Sequence, residues 1–245
     1  MISPLEDIKK SPLAYSNDEG LIAIIEGSQG AGKTSGAIAM GYEDFQATGK
    51  KVISNNHLNE EYFTNFKHMT LDYILTHISG PELEDIILIW DEAQKEINAS
   101  ARTRESRDLI FLIEEVRKRR IQLYMTTQRL KKIDGWAREM IDIRGIARTD
   151  TEKPCKRCAG MGLYRNLICP RCLGYGKLSY TQITFKRIST KTHIMVAGNE
   201  LHLKGKSTFT IGPFRANDYW CLFQTRERMA AQARHYENLQ TAEVV

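Results

Sequence analysis

The stretch LIAIIEGSQGAGKTS, residues 21–35, constrains the fold more than any other in the chain. Leu21 to Ile25 are five aliphatics in a row, closed by Glu26, and read as a buried strand. Gly27, Ser28, Gln29, Gly30, Ala31, Gly32, Lys33 and Thr34 then fit the pattern glycine, four residues, Gly-Lys-Thr. Lys33 to about Ala47 has helical content with Gly49 suited to its end, and Gly27 to Ser35 are the residues expected to bind the nucleotide. Glycines at these places let the backbone curl until its amides point at phosphate oxygens. Lys33 would neutralise β/γ-phosphate charge, and Thr34 would offer its hydroxyl to magnesium. Strand, glycine loop and helix in this order predict a nucleotide cradle.

The rest of the first 150 residues alternates strand and helix. KVISNN from Lys51 reads as a second strand, Asn59 to Ser79 as helical, and Gly80-Pro81 as its break. DIILIWDE (Asp85–Glu92) is a hydrophobic strand ending in two acids, and IQLYMTTQ (Ile121–Gln128) is a strand with a polar tip. Between them, Leu109, Leu112, Ile113 and Val116 recur at helical spacing. Such alternation predicts an α/β fold with a mainly parallel central sheet. At 245 residues, 42% hydrophobic, the chain can bury one such core with a small insertion. After Asp142 the texture changes: IDIRGIART and LSYTQITFKRI read as strands flanking a cysteine-glycine segment, with further short β-like pieces beyond. A polar terminal helix is expected over Arg226 to Gln240. The expected organisation is a core over 1–150, an insertion over 151–178, and completion of the core over 179–245. No run of 18 apolar residues suggests a membrane span, and the first 20 residues lack an apolar signal core. A reducing cytosol is therefore the expected compartment.

Asp91 ends the strand that should lie near the phosphate loop, where a carboxylate can hold magnesium. Glu92, the next residue, is positioned to polarise a water for attack on the γ-phosphate. Enzymes that phosphorylate small molecules exclude water and have little use for such a base. Gln128, at the tip of a neighbouring strand, can sense the γ-phosphate or orient the same water. The net charge of +5 fits a polyanionic partner without requiring one. Much of the excess lies between Ala101 and Trp136, where ten basic residues face five acids.

The ordered set GxxxxGKT, ILIWDEAQ and YMTTQR resembles the FtsK–HerA superfamily of P-loop DNA-pumping ATPases. Within it the likeness is greatest to viral genome-packaging ATPases and Zot-type phage morphogenesis proteins. It spans roughly residues 20–150, with NDYWCLFQTRE near the end as a degraded form of a Tyr-Asp-Thr segment in which Gln224 replaces the acid. The resemblance implies a RecA-like, additional-strand P-loop fold that binds ATP and magnesium. It also implies a ring homo-oligomer, usually a hexamer, acting on double-stranded DNA, with an arginine supplied in trans. Arg117, eleven residues before Gln128, stands where the family places that arginine, while Arg120 stands where relatives have glycine. Arg102, Arg104 and Arg107 would face the pore or a neighbouring subunit and could touch backbone phosphates. Catalytic roles are thus expected of Lys33, Glu92, Gln128 and Arg117.

Three functions follow. The first is a DNA translocase that packages or moves a viral or mobile-element genome, located in the host cytoplasm or with the virion, with a capsid or envelope protein as a further partner. The second is Zot-like extrusion of phage through an envelope, for which relatives typically carry a membrane span. The third is a nucleotide-gated zinc module with little turnover, against which Glu92 argues.

CKRCAGMGLYRNLICPRCLGYG, from Cys155 to Gly176, holds two Cys-x-x-Cys pairs ten residues apart. Four thiolates, Cys155, Cys158, Cys169 and Cys172, suit tetrahedral zinc. Each pair opens Cys-x-x-Cys-x-Gly-x-Gly and resembles one zinc-binding half of the cysteine-rich region of DnaJ-type chaperones. A hairpin this short cannot bury its own core, so the metal would hold it together. The zinc hairpin could be a stalk, a docking knob or a DNA-touching finger. Cys221 stands apart and is expected to be a core thiol.

Overall fold

The computed structural model describes residues 20–99, 103–165, 167–172, 174, 176–187, 193–196, 199–202, 208–215 and 222–223. The N-terminal 19 residues, Arg102, Cys221, Gln224 and the terminal helix expected over Arg226–Gln240 lie outside these.

The aliphatic run forms β1 (Leu21–Glu26), and the phosphate loop leads into α1 (Lys33–Thr48), closed by Gly49 at φ 67°. β2 (Lys51–Ser54), β3 (Phe66–His68), α2 (Leu71–His77) and β4 (Ile86–Trp90) follow. α3 (Arg104–Glu115), β5 (Gln122–Thr127) and α4 (Gly135–Glu139) complete the first half. The second half holds β6 (Ile143–Pro154), β7 (Leu163–Tyr164), β8 (Leu167–Ile168), β9 (Lys177–Arg187), β10 (His193–Val196), β11 (Asn199–His202) and β12 (Thr208–Arg215).

Eight strands form one sheet in the order β12-β9-β6-β1-β5-β4-β2-β3. β3, β2, β4, β5, β1 and β6 run parallel, and β9 and β12 add antiparallel strands beyond β6. β5 lies between the strand that feeds the phosphate loop and the strand that ends before Asp91. This is the additional-strand arrangement, and the α/β expectation holds.

Asn59–Ser79 is not one helix. Residues Phe66–His68 pair in parallel with Val52–Ser54 as an edge strand, and only then does Thr70 cap α2 by accepting from the Tyr73 amide. The open backbone edge of β2 outweighs a helical preference in FKH, because pairing satisfies donors and acceptors on both strands.

Both faces of the sheet are covered, as parallel strands require. Alternate side chains of β1 divide between them: Leu21, Ala23 and Ile25 pack beneath α1 with Ile38, Met40 and Ile183. Ile22 and Ile24 pack with Leu109, Leu112 and Ile113 of α3 on the other face. The period of two along a strand thus fixes which helix covers which face. The parallel register also fixes the two edges of the sheet. The C-terminal ends of β1, β4 and β5 converge at one edge, since Glu26 lies opposite Thr127 and Trp90 opposite Met125.

Candidate functional site

The phosphate loop sits at that edge. Gly27 lies so close to β6 that a Cβ there would be 2.8 Å from the Ala147 carbonyl oxygen. Gly30 and Gly32 adopt φ of 75° and 81°, the left-handed turns that aim the loop's backbone back on itself. α1 starts with no acidic residue in its first turn and no side-chain cap, so its positive end faces the loop unopposed. The Lys33 Nζ donates to the Ser28 carbonyl at 2.8 Å and so lies across the loop. Burial pulls its pKa down, opposed by the carboxylates of Asp91 and Glu92. A cation buried from water next to two acids is ready to exchange its carbonyl for a phosphate oxygen.

Asp91 joins this loop to the neighbouring strands. Thr34 Oγ1 donates to Asp91 Oδ1 at 2.9 Å, and Thr126 of β5 donates to the same oxygen. Asn55, just past β2, makes a reciprocal pair with the Asp91 backbone: its amide donates to the Asp91 carbonyl and its oxygen accepts the Asp91 N–H, both at 2.8 Å. Thr126 Oγ1 also accepts the Glu92 N–H at 2.9 Å. Glu92 itself has φ 53° and ψ 41°, a left-handed conformation that a side chain bearing Cβ rarely adopts. The clamp from β2 and β5 holds the Asp91–Glu92 peptide in that turn. Asn55 and Thr126 were not singled out in the sequence. Each is a polar residue at or near the end of a hydrophobic strand, which was the available signal.

The Glu92 carboxylate pairs with Lys95 one turn on, whose own pKa is raised chiefly by that hydrogen bond. Glu92, Lys95, Gln94, Asn98, Gln128 and Lys132 line a cleft of about 430 Å³. Gln94 is 7% exposed and its Oε1 has no partner, so a buried acceptor remains unsatisfied beside Glu92. Gln128 is exposed just past β5 and shares the cleft with Glu92. Gly27–Ser35, Asp91, Glu92 and Gln128 thus meet at one edge. Glu26 secures its base: its carboxylate pairs with Arg144 of β6 and accepts the Leu130 N–H at 3.0 Å.

Arg117 is elsewhere. It precedes β5, so it sits at the entry edge of the sheet, about 16 Å from the loop by the length of β1. There its Nη2 donates to Asp142 Oδ1 at 2.7 Å, and the fully buried Asp142 accepts the Ile22 N–H through Oδ2 at 3.0 Å. Arg120 has φ 55°, a left-handed geometry that favours glycine. Arg119 donates to the Gly80 carbonyl at 3.2 Å. Arg104 and Arg107 are exposed at the start of α3.

The four cysteines form a second site. Their sulfurs lie within 4.8 Å of one another and all four residues are buried. Cys155–Cys169 and Cys158–Cys172 sulfur distances are 3.9 and 3.6 Å. A tetrahedron with zinc–sulfur bonds of about 2.3 Å has edges of about 3.8 Å, so the donor set fits zinc. The two Cys-x-x-Cys-x-Gly-x-Gly repeats pack as near-equivalents. The Cys155 N–H donates to the Gly176 carbonyl at 2.7 Å, and the Cys169 N–H to the Gly162 carbonyl at 2.9 Å. A Cβ on Gly162 would come within 2.2 Å of the Gly174 oxygen, and one on Gly176 within 2.1 Å of the Gly160 oxygen. Glycine is therefore required where the halves cross, while the Gly162 amide donates to the Cys158 sulfur at 3.3 Å. Burial and hydrogen bonds from the other thiols push the Cys172 thiol up to about 12. Burial also raises Cys169, but backbone amides of Cys172 and Arg171 outweigh it and hold that thiol at about 7. Such a spread marks four sulfurs competing for protons in one small volume.

A phosphate loop opening α1, an acid pair one strand removed, and an extra strand between them define a P-loop NTPase fold. The family model described as Zonular occludens toxin (Zot) matches residues 21–202, and the chain belongs to that family. Among solved structures, the N-terminal domain of zonular occludens toxin from Neisseria meningitidis is similar at 16% identity and TM-score 0.50. The likeness covers 84% of this chain and 100% of that domain. The genome packaging NTPase B204 from Sulfolobus turreted icosahedral virus 2, in complex with AMPPCP, is similar at 11% identity and TM-score 0.49, covering 81% of this chain and 99% of that one. At 16% identity the likeness to the Neisseria domain is one of fold. Among curated proteins no sequence matches. No helix among the described residues is long and apolar enough to cross a membrane.

Proposed function

We propose that the chain is an ATP-hydrolysing DNA translocase of phage or virus assembly, acting as a ring oligomer. The observation that carries this reading is the hydrogen-bonded chain from Thr34 through Asp91 and Thr126 to the Glu92 amide. It ties the phosphate loop to an acid pair whose second member can accept a proton from water. In the proposed reaction the amides of Gly27–Ser35 and the Lys33 ammonium hold the β- and γ-phosphates. Thr34 and Asp91 are the residues that would hold magnesium, which when bound offsets charge on those phosphates. Glu92 takes a proton as the water oxygen bonds to the γ-phosphorus and the bridge to the β-phosphate breaks. Gln128 orients that water from the far side of the cleft. Lys95 must release Glu92 before this can happen.

Membership of the Zot family supports the alternative reading, extrusion of phage through an envelope, over genome packaging. In a ring, Arg117 would act at a neighbour's nucleotide, because it faces away from its own. Its ion pair with Asp142 also gives it a structural duty within the chain. Zinc on Cys155, Cys158, Cys169 and Cys172 would hold the hairpin in shape and takes no part in hydrolysis.

The test is phosphate release by the purified full chain with and without double-stranded DNA, alongside its mass with ATP and DNA present. A DNA-stimulated rate from a species several chains in size supports the reading. No hydrolysis with DNA at any salt concentration sinks the motor, and nucleotide binding without turnover would favour the gated zinc module instead.

A further inference from the structure

The zinc hairpin is carried far from the nucleotide edge. β6 pairs with β1 only as far as Ile146 opposite Glu26, then continues with β9 to Pro154 opposite Lys177. Eight further residues of strand place the hairpin about 26 Å beyond the end of β1. β12 flanks β9 as far as Tyr180, so beyond it Glu152–Pro154 and Lys177–Ser179 form a two-stranded neck with the cysteine hairpin as its head.

The head has an unusual surface. From residue 153 to 178 the chain holds six cations, Lys153, Lys156, Arg157, Arg165, Arg171 and Lys177, and no Asp or Glu. All six are exposed. Even after a tetrathiolate zinc centre contributes two negative charges, the head is strongly positive. Around it stand the most exposed large aliphatics among the described residues: Met161 at 74%, Leu167 at 72% and Ile168 at 49%. Leu167 and Ile168 are adjacent on β8, so they point to opposite faces of the β7–β8 ribbon, opposite Tyr164 and Leu163 respectively. Leu167 and Ile168 therefore do not form one face that a neighbouring element of the core could cover.

We propose that this head contacts an anionic lipid surface, with Met161, Leu167 and Ile168 entering the headgroup boundary and the six cations lying against lipid phosphates. Charge complementarity selects an anionic partner, and the exposed aliphatics separate a membrane from a nucleic acid. Phosphodiester backbones and base edges offer little to three aliphatic side chains. The ring of Tyr164, which could have stacked on a base, already has the guanidinium groups of Arg157 and Arg165 at 4.9 and 5.4 Å from its centroid. Long cationic side chains around a small apolar collar can reach the phosphate level while the collar dips below it.

The test is flotation of the full chain with vesicles rich in phosphatidylglycerol and with vesicles of phosphatidylcholine alone. The chain should float with the first and not the second. The triple substitution Met161→Ser, Leu167→Ser, Ile168→Ser should lower vesicle partitioning about tenfold or more. Lys156→Gln with Arg165→Gln and Arg171→Gln should do the same and weaken the salt dependence. Zinc content and ATP hydrolysis away from vesicles, unchanged in both variants, show that the head still folds. Equal binding to both vesicle types overturns the proposal, as does an apolar variant that floats within twofold of the parent. A parent that binds no vesicles overturns it too. If the apolar variant in that case loses affinity for duplex DNA, the head is a nucleic-acid wedge.

Discussion

Thr126→Val tests whether the bridge from β5 sets the catalytic geometry. Thr126 is fully buried and valine has nearly its shape, so the substitution removes a hydroxyl and leaves the packing. Two hydrogen bonds go with it: the one donated to the Asp91 carboxylate and the one accepted from the Glu92 N–H. A hydrogen bond to a charged group contributes about 1.5–3 kcal/mol, and a stranded amide costs about 1–3 kcal/mol. Asp91 is only partly buried and keeps Thr34, so water offsets part of the loss, and about 2–3 kcal/mol is expected at the site. If that energy holds the left-handed turn at Glu92, turnover should fall roughly 30- to 150-fold at 1.4 kcal/mol per decade. Nucleotide affinity, set mainly by the phosphate loop, should change less than about fivefold. Thr126→Ser keeps the hydroxyl and should recover most of the rate. The assay is steady-state ATP hydrolysis with nucleotide binding measured separately. A valine variant with kcat within threefold of the parent and an unchanged melting temperature refutes the positioning role.

Arg117→Ala strands the buried Asp142, which retains only the Ile22 amide, and should lower stability by about 2 kcal/mol in urea unfolding, with Asp142→Asn restoring part of it. An unchanged unfolding midpoint would show the pair to be idle. Burial raises the Glu96 carboxyl above its ordinary value, only partly offset by Trp90, and one of its oxygens has no partner. Because that folded pKa is raised, the group's stabilising share is present in acid and lost as pH rises through it. Glu96→Gln should therefore raise the melting temperature by about 2 °C at pH 8, with the gap closing as pH falls toward 4; a gap independent of pH contradicts this. Replacing Cys155 and Cys169 by serine should remove about one zinc per chain as measured by metal analysis, and unchanged zinc content would refute the tetrathiolate site.

The site was legible where chemistry dictates residue type at short range. A phosphate cradle needs glycines, a lysine and a hydroxyl within eight residues, and Gly27–Thr34 supplies them in one reading frame. The four-cysteine head was legible for the same reason, since its two repeats carry the same pattern in the same order. Asn55 and Thr126 were not, because their partner Asp91 lies 36 and 35 residues away and only strand order brings them together. β3 departs from the helical expectation because FKH has no period of its own, and an open neighbouring edge makes it a strand. Only the spacing of Arg117 from Gln128 is legible in the sequence; its place at the entry edge, away from its own loop, comes from the direction of the strand it precedes and is compatible with the role in trans proposed for it.

The most direct test of the hydrolytic reading is Glu92→Gln, measured for ATP binding and turnover on the same preparation. Loss of the proton acceptor should cut hydrolysis about 10²- to 10⁴-fold while ATP still binds through the loop and Lys33. Turnover at the parent rate in that variant would contradict the assignment of Glu92 as the base.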